Sequence, residues 1–288
     1  VISETADERL GAAEGPQSLH TQVVQRGGIR WHVQVMGSGP ALLLLHGTGA
    51  SSDSFRDLMP LLAKRFTVVS PDLPGHARTI APPWFEPSLP AMAAALDELL
   101  LELRLNPTVA IGHSAGAAIV ARMALDGAIE PRLLVGLGAA LVPFHGIAGA
   151  ILPKTARVLA VASKILPIRV RDRRSVERMI GSTGSALDPR GIEMYARLSE
   201  QPGHVAGVLA MMANWDLEPL FGDLPRLDVP FLLVAGRRDA AVPLSQQRTV
   251  AARLPRARLV VVEGCGHLLH EEEPATTAGT IFDALGDV

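Results

Sequence analysis

The stretch that decides the fold is Ile111-Gly112-His113-Ser114-Ala115-Gly116. The apolar run Thr108-Val109-Ala110 before it reads as a strand, and residues 117–125 after it read as a helix. A Gly-x-Ser-x-Gly at such a junction is a nucleophile elbow, in which the serine sits at the apex of a strained turn with its hydroxyl above the sheet. The flanking glycines remove side chains that would collide where strand and helix come so close. Five residues are a weak signal in a chain with 27 glycines, so the weight rests on the strand–turn–helix setting.

Working outward, the setting recurs. Residues 20–25 and 30–35 alternate in character around Gly27-Gly28, which predicts a hairpin. Residues 41–45 form a short continuous apolar run, as expected for a strand buried on both faces; it ends in His46-Gly47-Thr48-Gly49. Ser52 or Asp53 then caps a helix expected to run to about Lys64. A strand over 66–70 ends in Asp72-Leu73-Pro74-Gly75-His76, and an Ala/Leu-rich helix covers 90–105. Beyond the elbow come a strand over 133–138, a strand over 231–235, a helix over 245–254, a strand over 258–262 and a helix over 274–285. Such alternation predicts an α/β fold with a mostly parallel sheet and helices on both faces.

The alternation lapses between 140 and 218. That segment reads as helices over 155–165, 170–180, 190–201 and 203–215. Entering after one core strand and leaving before another, it would sit over the strand C-termini, where open α/β sheets place their ligands. The expected organisation is a core in two parts, 1–139 and 219–288, with a helical cap over 140–218; residues 1–17 are expected to be loosely ordered. No signal peptide is visible in them.

With 48% apolar and 19% charged residues the chain is globular, and a net charge of −2 gives no electrostatic case for nucleic acid. The single cysteine, Cys265, cannot form an internal disulfide, which suits a reducing compartment or a disulfide-free exported protein. The uncharged run 133–153 contains Pro143, His145 and four glycines, so it reads as strand plus loop and not as a spanning helix.

A serine hydroxyl needs a base to take its proton, and the base needs an orienting acid. The strand over 231–235 ends in Gly236-Arg237-Arg238-Asp239 and the last strand in Gly264-Cys265-Gly266-His267. Asp239 as acid and His267 as base follow Ser114 in the order this architecture requires. His270 is the rival base, read as a solvated helix-start residue among Glu271, Glu272 and Glu273. For the oxyanion, the backbone amide of Ala115 is one donor and that of Thr48 the expected second. His46 is expected to buttress the Thr48 loop. His267-x-x-His270 with its glutamates matches no metal-site spacing, so no metal and no cofactor is expected. Met211, Trp215, His204 and Phe144 are the candidates to line a substrate pocket under the cap, against the plainer reading that they pack its helices together. Residues 154–178 carry eight basic side chains against two acidic ones, a solvated face or a contact for propionates, anionic lipid or an acidic protein.

These motifs together resemble the α/β-hydrolase-fold family, which implies an eight-stranded sheet and acyl-enzyme hydrolysis; Ser114 in place of an aspartate argues against dehalogenases and epoxide hydrolases. Ala77 stands where that family usually has a second glycine. Further stretches, from Trp31-His32-Val33-Gln34-Val35-Met36-Gly37 through Met123-Ala124-Leu125-Asp126-Gly127 to Pro202-Gly203-His204-Val205-Ala206-Gly207 and Met211-Met212-Ala213-Asn214-Trp215, resemble the magnesium-chelatase accessory proteins of bacteriochlorophyll biosynthesis. That resemblance implies a cytoplasmic or photosynthetic-membrane-associated protein acting around magnesium insertion into protoporphyrin, with a small apolar substrate such as a tetrapyrrole and magnesium chelatase as a partner; from charge and hydropathy no nucleic acid and no transmembrane segment is expected, and the basic run leaves peripheral membrane contact open. A non-catalytic tetrapyrrole-binding or accessory role, and carbon–carbon bond hydrolysis or lyase chemistry by the same three residues, stay open on the sequence.

Overall fold

The computed structural model describes residues 19–143 and 172–286. Phe144, the expected helix over 155–165, most of the basic run and the N-terminal 17 residues lie outside them. Eight strands form one sheet: β1 (His20–Arg26), β2 (Ile29–Met36), β3 (Ala41–Leu45), β4 (Thr67–Pro71), β5 (Val109–His113), β6 (Leu133–Leu137), β7 (Phe231–Gly236) and β8 (Ala257–Val262). Their order is β1-β2-β4-β3-β5-β6-β7-β8; β1 pairs antiparallel with β2 and β2 antiparallel with β4, and every other pairing is parallel. The β1–β2 hairpin turns on Gly27 and Gly28 at φ +60° and +75°, values that glycine reaches without steric cost.

The central strands are buried on both faces, and their side chains divide by parity. Leu43 and Leu45 of β3 and Phe231 and Leu233 of β7 join one core with α2 (Leu89–Leu103) and α3 (Ala115–Leu125). Leu42, Leu44, Leu232 and Val234 join the opposite core with α1 (Met59–Leu62) and α10 (Pro274–Gly286). Each fully buried leucine or valine is worth about 1.5–3 kcal/mol, so register is strongly specified. The expected single helix from residue 52 to 64 is instead a short 3₁₀ turn, Ser52–Phe55, followed by α1. Pro60 is the reason: it has no amide to continue a helix, yet it fits the first turn of a new one.

Between β6 and β7 lie α4 (Arg173–Ser182), α5 (Pro189–Ser199), α6 (Pro202–Asn214) and α7 (Glu218–Asp223). Val176, Ile180, Ile192, Tyr195 and Leu198 of these helices form a separate small core that closes on Ala50 and Leu268 of the sheet loops. The remaining helices are α8 (Leu244–Ala251) and α9 (Leu269–Glu272). Among the described residues no helix is long and apolar enough to cross a membrane.

Candidate active site

Ser114 lies between β5 and α3 with φ 51° and ψ −115°, a conformation that costs a non-glycine residue about 1–3 kcal/mol. The glycines around it make this turn sterically feasible. A Cβ on Gly112 would fall 2.2 Å from the backbone carbon of Gly116, and one on Gly116 would fall 2.4 Å from the carbonyl oxygen of Leu45. The strained turn is pinned from three directions: the Ser114 amide donates to the Leu137 carbonyl at 2.9 Å, and its carbonyl accepts from the amides of Ala117 and Ala140 at 3.1 Å each.

The loops after β7 and β8 bring the expected acid and base together. His267 Nδ1 lies 2.8 Å from Asp239 Oδ2, and both residues are buried. The other carboxylate oxygen, Oδ1, accepts from the amides of Ala241 and Val242 at 2.9 and 2.8 Å. A carboxylate at Nδ1 selects the tautomer protonated there and leaves Nε2 as the basic nitrogen. Gly138, just after β6, has φ +52°; a Cβ there would approach His267 Nδ1 to 3.0 Å and Asp239 Oδ2 to 3.2 Å. The strand end where the sequence offers no acid is therefore filled by the side chains of Asp239 and His267.

Ser114 and His267 face one cavity of about 440 Å³, together with Thr48 and Ala115. Among the described residues no partner is found for the Thr48 or Ala115 amide; Ala115 opens α3, where the first amides of a helix have no intrahelical acceptor. The loop carrying Thr48 is held from below. His46 Nδ1 lies 2.8 Å from the Gly47 carbonyl, and its Nε2 accepts from the Leu73 amide at 2.9 Å. Burial holds this imidazole below its ordinary value, against the pull of Asp72. Asp72 is itself buried; burial alone would raise its pKa, but His32, the charges of His46 and Arg78 and the Ser52 amide outweigh it and keep the carboxylate ionised.

The rest of the cavity is mostly apolar, with His113, Thr183 and Gln246 as its further polar members. Val142, Met179, Ile180, Tyr195, Val208, Met212, Trp215, Leu217 and Val242 line it, and no Lys, Arg, Asp or Glu does so among the described residues. Trp215 is part of this wall. Met211 and His204 are not. Met211 is fully buried and takes a contact from the Thr48 hydroxyl at 3.6 Å, while His204 accepts the Ala77 amide at 3.0 Å. The helix turns 100° per residue, so Met212, one step on from Met211, reaches the cavity. Phe144 lies outside the described residues.

Two further sets of residues hold the site and escape a motif search. The turn at residues 183–185 passes between the acid and base loops: the Thr183 carbonyl accepts from the amides of Ala240 at 3.1 Å and His267 at 3.3 Å, and Ser185 Oγ accepts from the Leu268 amide at 2.8 Å. Gly266 and Gly184 are in backbone contact there. Only the glycine at 184, with φ +81°, hints at this from the sequence. Behind His267, His113 Nε2 donates to the His267 carbonyl at 3.1 Å and its ring packs on His267 and His270 at 4.7 and 4.4 Å. His270 is not solvated but wholly buried, and burial lowers it to about 3. Glu271 is buried as well, ion-paired to Arg56 and hydrogen-bonded by the Tyr195 hydroxyl at 2.7 Å. Burial pushes its carboxyl up to about 7, against the opposing pull of Arg56. The glutamate run thus faces inward at its first member, because Arg56 and Tyr195 supply partners that lie far away along the chain. Among the described residues no group of three or more His, Cys, Asp or Glu is arranged to hold a metal ion.

Comparison with known proteins agrees with this architecture. The chain is 43% identical to the magnesium-chelatase 30 kDa subunit of Rhodobacter capsulatus over 266 residues, covering 90% of this chain and 92% of that one. It is 27% identical to the pimeloyl-[acyl-carrier protein] methyl ester esterase of Vibrio vulnificus, over 88% of this chain and 98% of the esterase. Among solved structures, an α/β hydrolase fold protein from Burkholderia ambifaria superposes with a TM-score of 0.78 at 24% identity, over 92% of this chain and 100% of that one. The family model for the alpha/beta hydrolase fold matches residues 40–274. The chain belongs to the α/β-hydrolase-fold family.

Proposed function

We propose that the protein is a serine hydrolase acting on an apolar ester. Ser114 attacks the carbonyl, and His267 takes its proton and returns it to the leaving group. Asp239 holds the imidazole, and the amides of Thr48 and Ala115 receive the oxyanion. The observation that supports this most is the 2.8 Å contact between His267 Nδ1 and Asp239 Oδ2, beside a cavity that Ser114 shares. The apolar wall supports an uncharged acyl group. The helical insertion covers the apolar cavity as a cap, and a water admitted beside His267 gives it a proton, attacks the acyl-enzyme and releases the acid, with the proton returning to Ser114.

The identity with the Rhodobacter capsulatus subunit supports a place beside magnesium insertion, with a tetrapyrrole ester as substrate and magnesium chelatase as partner. That relative's name also favours a second reading, an accessory protein that binds tetrapyrrole without turning it over. One experiment separates the two. A fluorophosphonate probe is expected to label Ser114 and abolish hydrolysis of a p-nitrophenyl ester. If folded protein resists the probe, and Ser114→Ala fully restores pigment synthesis in a host lacking its own copy, the hydrolase reading fails and the accessory one stands.

A further inference from the structure

His204, Gly207 and Met211 of α6 take no part in the chemistry assigned above. Spaced by three and then four residues, they share one face of the helix. That face is pressed onto two loops of the sheet. At Gly207 the contact is backbone to backbone: a Cβ there would fall 1.9 Å from the carbonyl oxygen of Gly75. His204 Nδ1 accepts the Ala77 amide at 3.0 Å, which leaves the proton on Nε2, and the Gly49 backbone lies near enough to the ring to favour its protonated form. Met211 Sδ meets the Thr48 hydroxyl at 3.6 Å. Thr48 and Gly49 form the tip of the loop that lines the cavity beside Ser114. The His204 ring also packs edge-on against His76 at 5.4 Å, and His76 lies 5.5 Å from His46 beneath the same loop.

The ring accepts at Nδ1 and so carries its proton on Nε2, and its surroundings keep it in that neutral state. Burial lowers His204 to about 4, so the imidazole is neutral at pH 7. The neighbouring face of α6 carries Val208, Met212 and Trp215, which line the cavity. One helix therefore roofs the substrate space and grips the loop beside the expected oxyanion.

We infer that His204 is a positioning residue, which holds the Thr48–Gly49 backbone in the geometry that receives the oxyanion, and that α6 is a fixed wall of the site. The inference rests on the hydrolase reading for its kinetic consequence, though not for its structural one. Displacing one oxyanion donor lowers turnover by about 10²–10³-fold when the donor is lost outright, and a misplaced one by less. His204→Leu is therefore expected to lower kcat on a short-chain p-nitrophenyl ester by about 10–100-fold with KM within about threefold. His204→Gln, whose amide keeps one acceptor and one donor, recovers most of that loss. A variant that melts earlier yet keeps its kcat, or a loss confined to KM, overturns the inference, and so does a glutamine variant as slow as the leucine one.

If the unsubstituted protein neither turns over the ester nor reacts with a fluorophosphonate, the hydrolase reading has failed by itself. The positioning role is then read by NMR. His204→Leu must move the Thr48 amide and Gly49 carbonyl resonances, and resonances that stay in place overturn it.

Discussion

The loops of the sheet and the helical insertion both build the candidate site, but they are constrained differently. In the sheet loops the backbone itself dictates the residues. Ser114 at φ 51° needs Gly112 and Gly116 beside it, and Gly47 must lack a Cβ, because one there would fall 2.9 Å from the Cβ of Ser114. In the described part of the insertion most site residues are set by what they touch across the molecule, as Tyr195 by Glu271 and Ser185 by the Leu268 amide, with Gly184 at φ +81° and Gly207 against Gly75 as the backbone-dictated exceptions. Local constraint leaves motifs; distant constraint leaves only single residues whose partners must be seen.

The contrast can be broken most severely at Ser114. Ser114→Ala is expected to cut ester turnover by about 10⁴–10⁶-fold with the thermal melt unchanged within a few degrees, read by steady-state hydrolysis and circular dichroism. Substantial residual turnover would mean that the sheet loops do not carry the chemistry.

Two glycines of one helix sharpen it next. Gly207→Ala is expected to destabilise the fold by about 1–3 kcal/mol in urea unfolding, since the added methyl must push helix and Gly75 loop apart. Gly203→Ala has open space around its Cβ and is expected to be neutral or stabilising by up to about 1 kcal/mol. Equal effects at both positions would show that the helix–loop contact is not a structural constraint.

Stability against pH tests the two buried networks with opposite signs. Burial raises Glu271 to about 7, above its unfolded value. Its contribution is full at low pH and is lost as pH rises through 7. Burial lowers His204 to about 4, below its unfolded value, so its contribution is full above pH 6.5 and is lost as pH falls towards 4. The two windows overlap between pH 4.5 and 6.5 and offset each other there, so in urea titrations from pH 4 to 8 stability should rise with pH more steeply in Glu271→Gln and less steeply in His204→Gln than in the unsubstituted protein. Reversed slopes would refute the burial that both assignments share. The smallest effect belongs to Arg237, on the same loop as Asp239 but exposed and paired with Glu263 at 2.7 Å. Arg237→Gln should leave turnover and melting temperature unchanged.

The strand pattern, and the strand ends after which Ser114, Asp239 and His267 fall, were legible because each follows from a period or a turn rule acting over a few residues. The 3₁₀ break before Pro60 was hidden by an apolar pattern that continues across it. His270 and Glu271 read as solvent-facing because charge in a short polar run normally is. The burial of Glu271 depends on Arg56 and Tyr195, more than seventy positions away in each case, and that of His270 on the rings of Phe55 and His113. Met211 was misplaced by one residue, an offset that sends a helical side chain to a different neighbour.

The turn at residues 183–185 implies an order of events in folding. It lies between the strand ends that supply Asp239 and His267, and the amide of His267 donates to a carbonyl 84 positions earlier in the chain. The parallel strands can pair without it, but the two loops that flank it cannot settle until it arrives. Catalytic competence should thus lag behind sheet formation on refolding, with the His267 amide acquiring protection from hydrogen exchange after those of β5 and β7. Simultaneous protection would show that the insertion docks with the sheet and not after it.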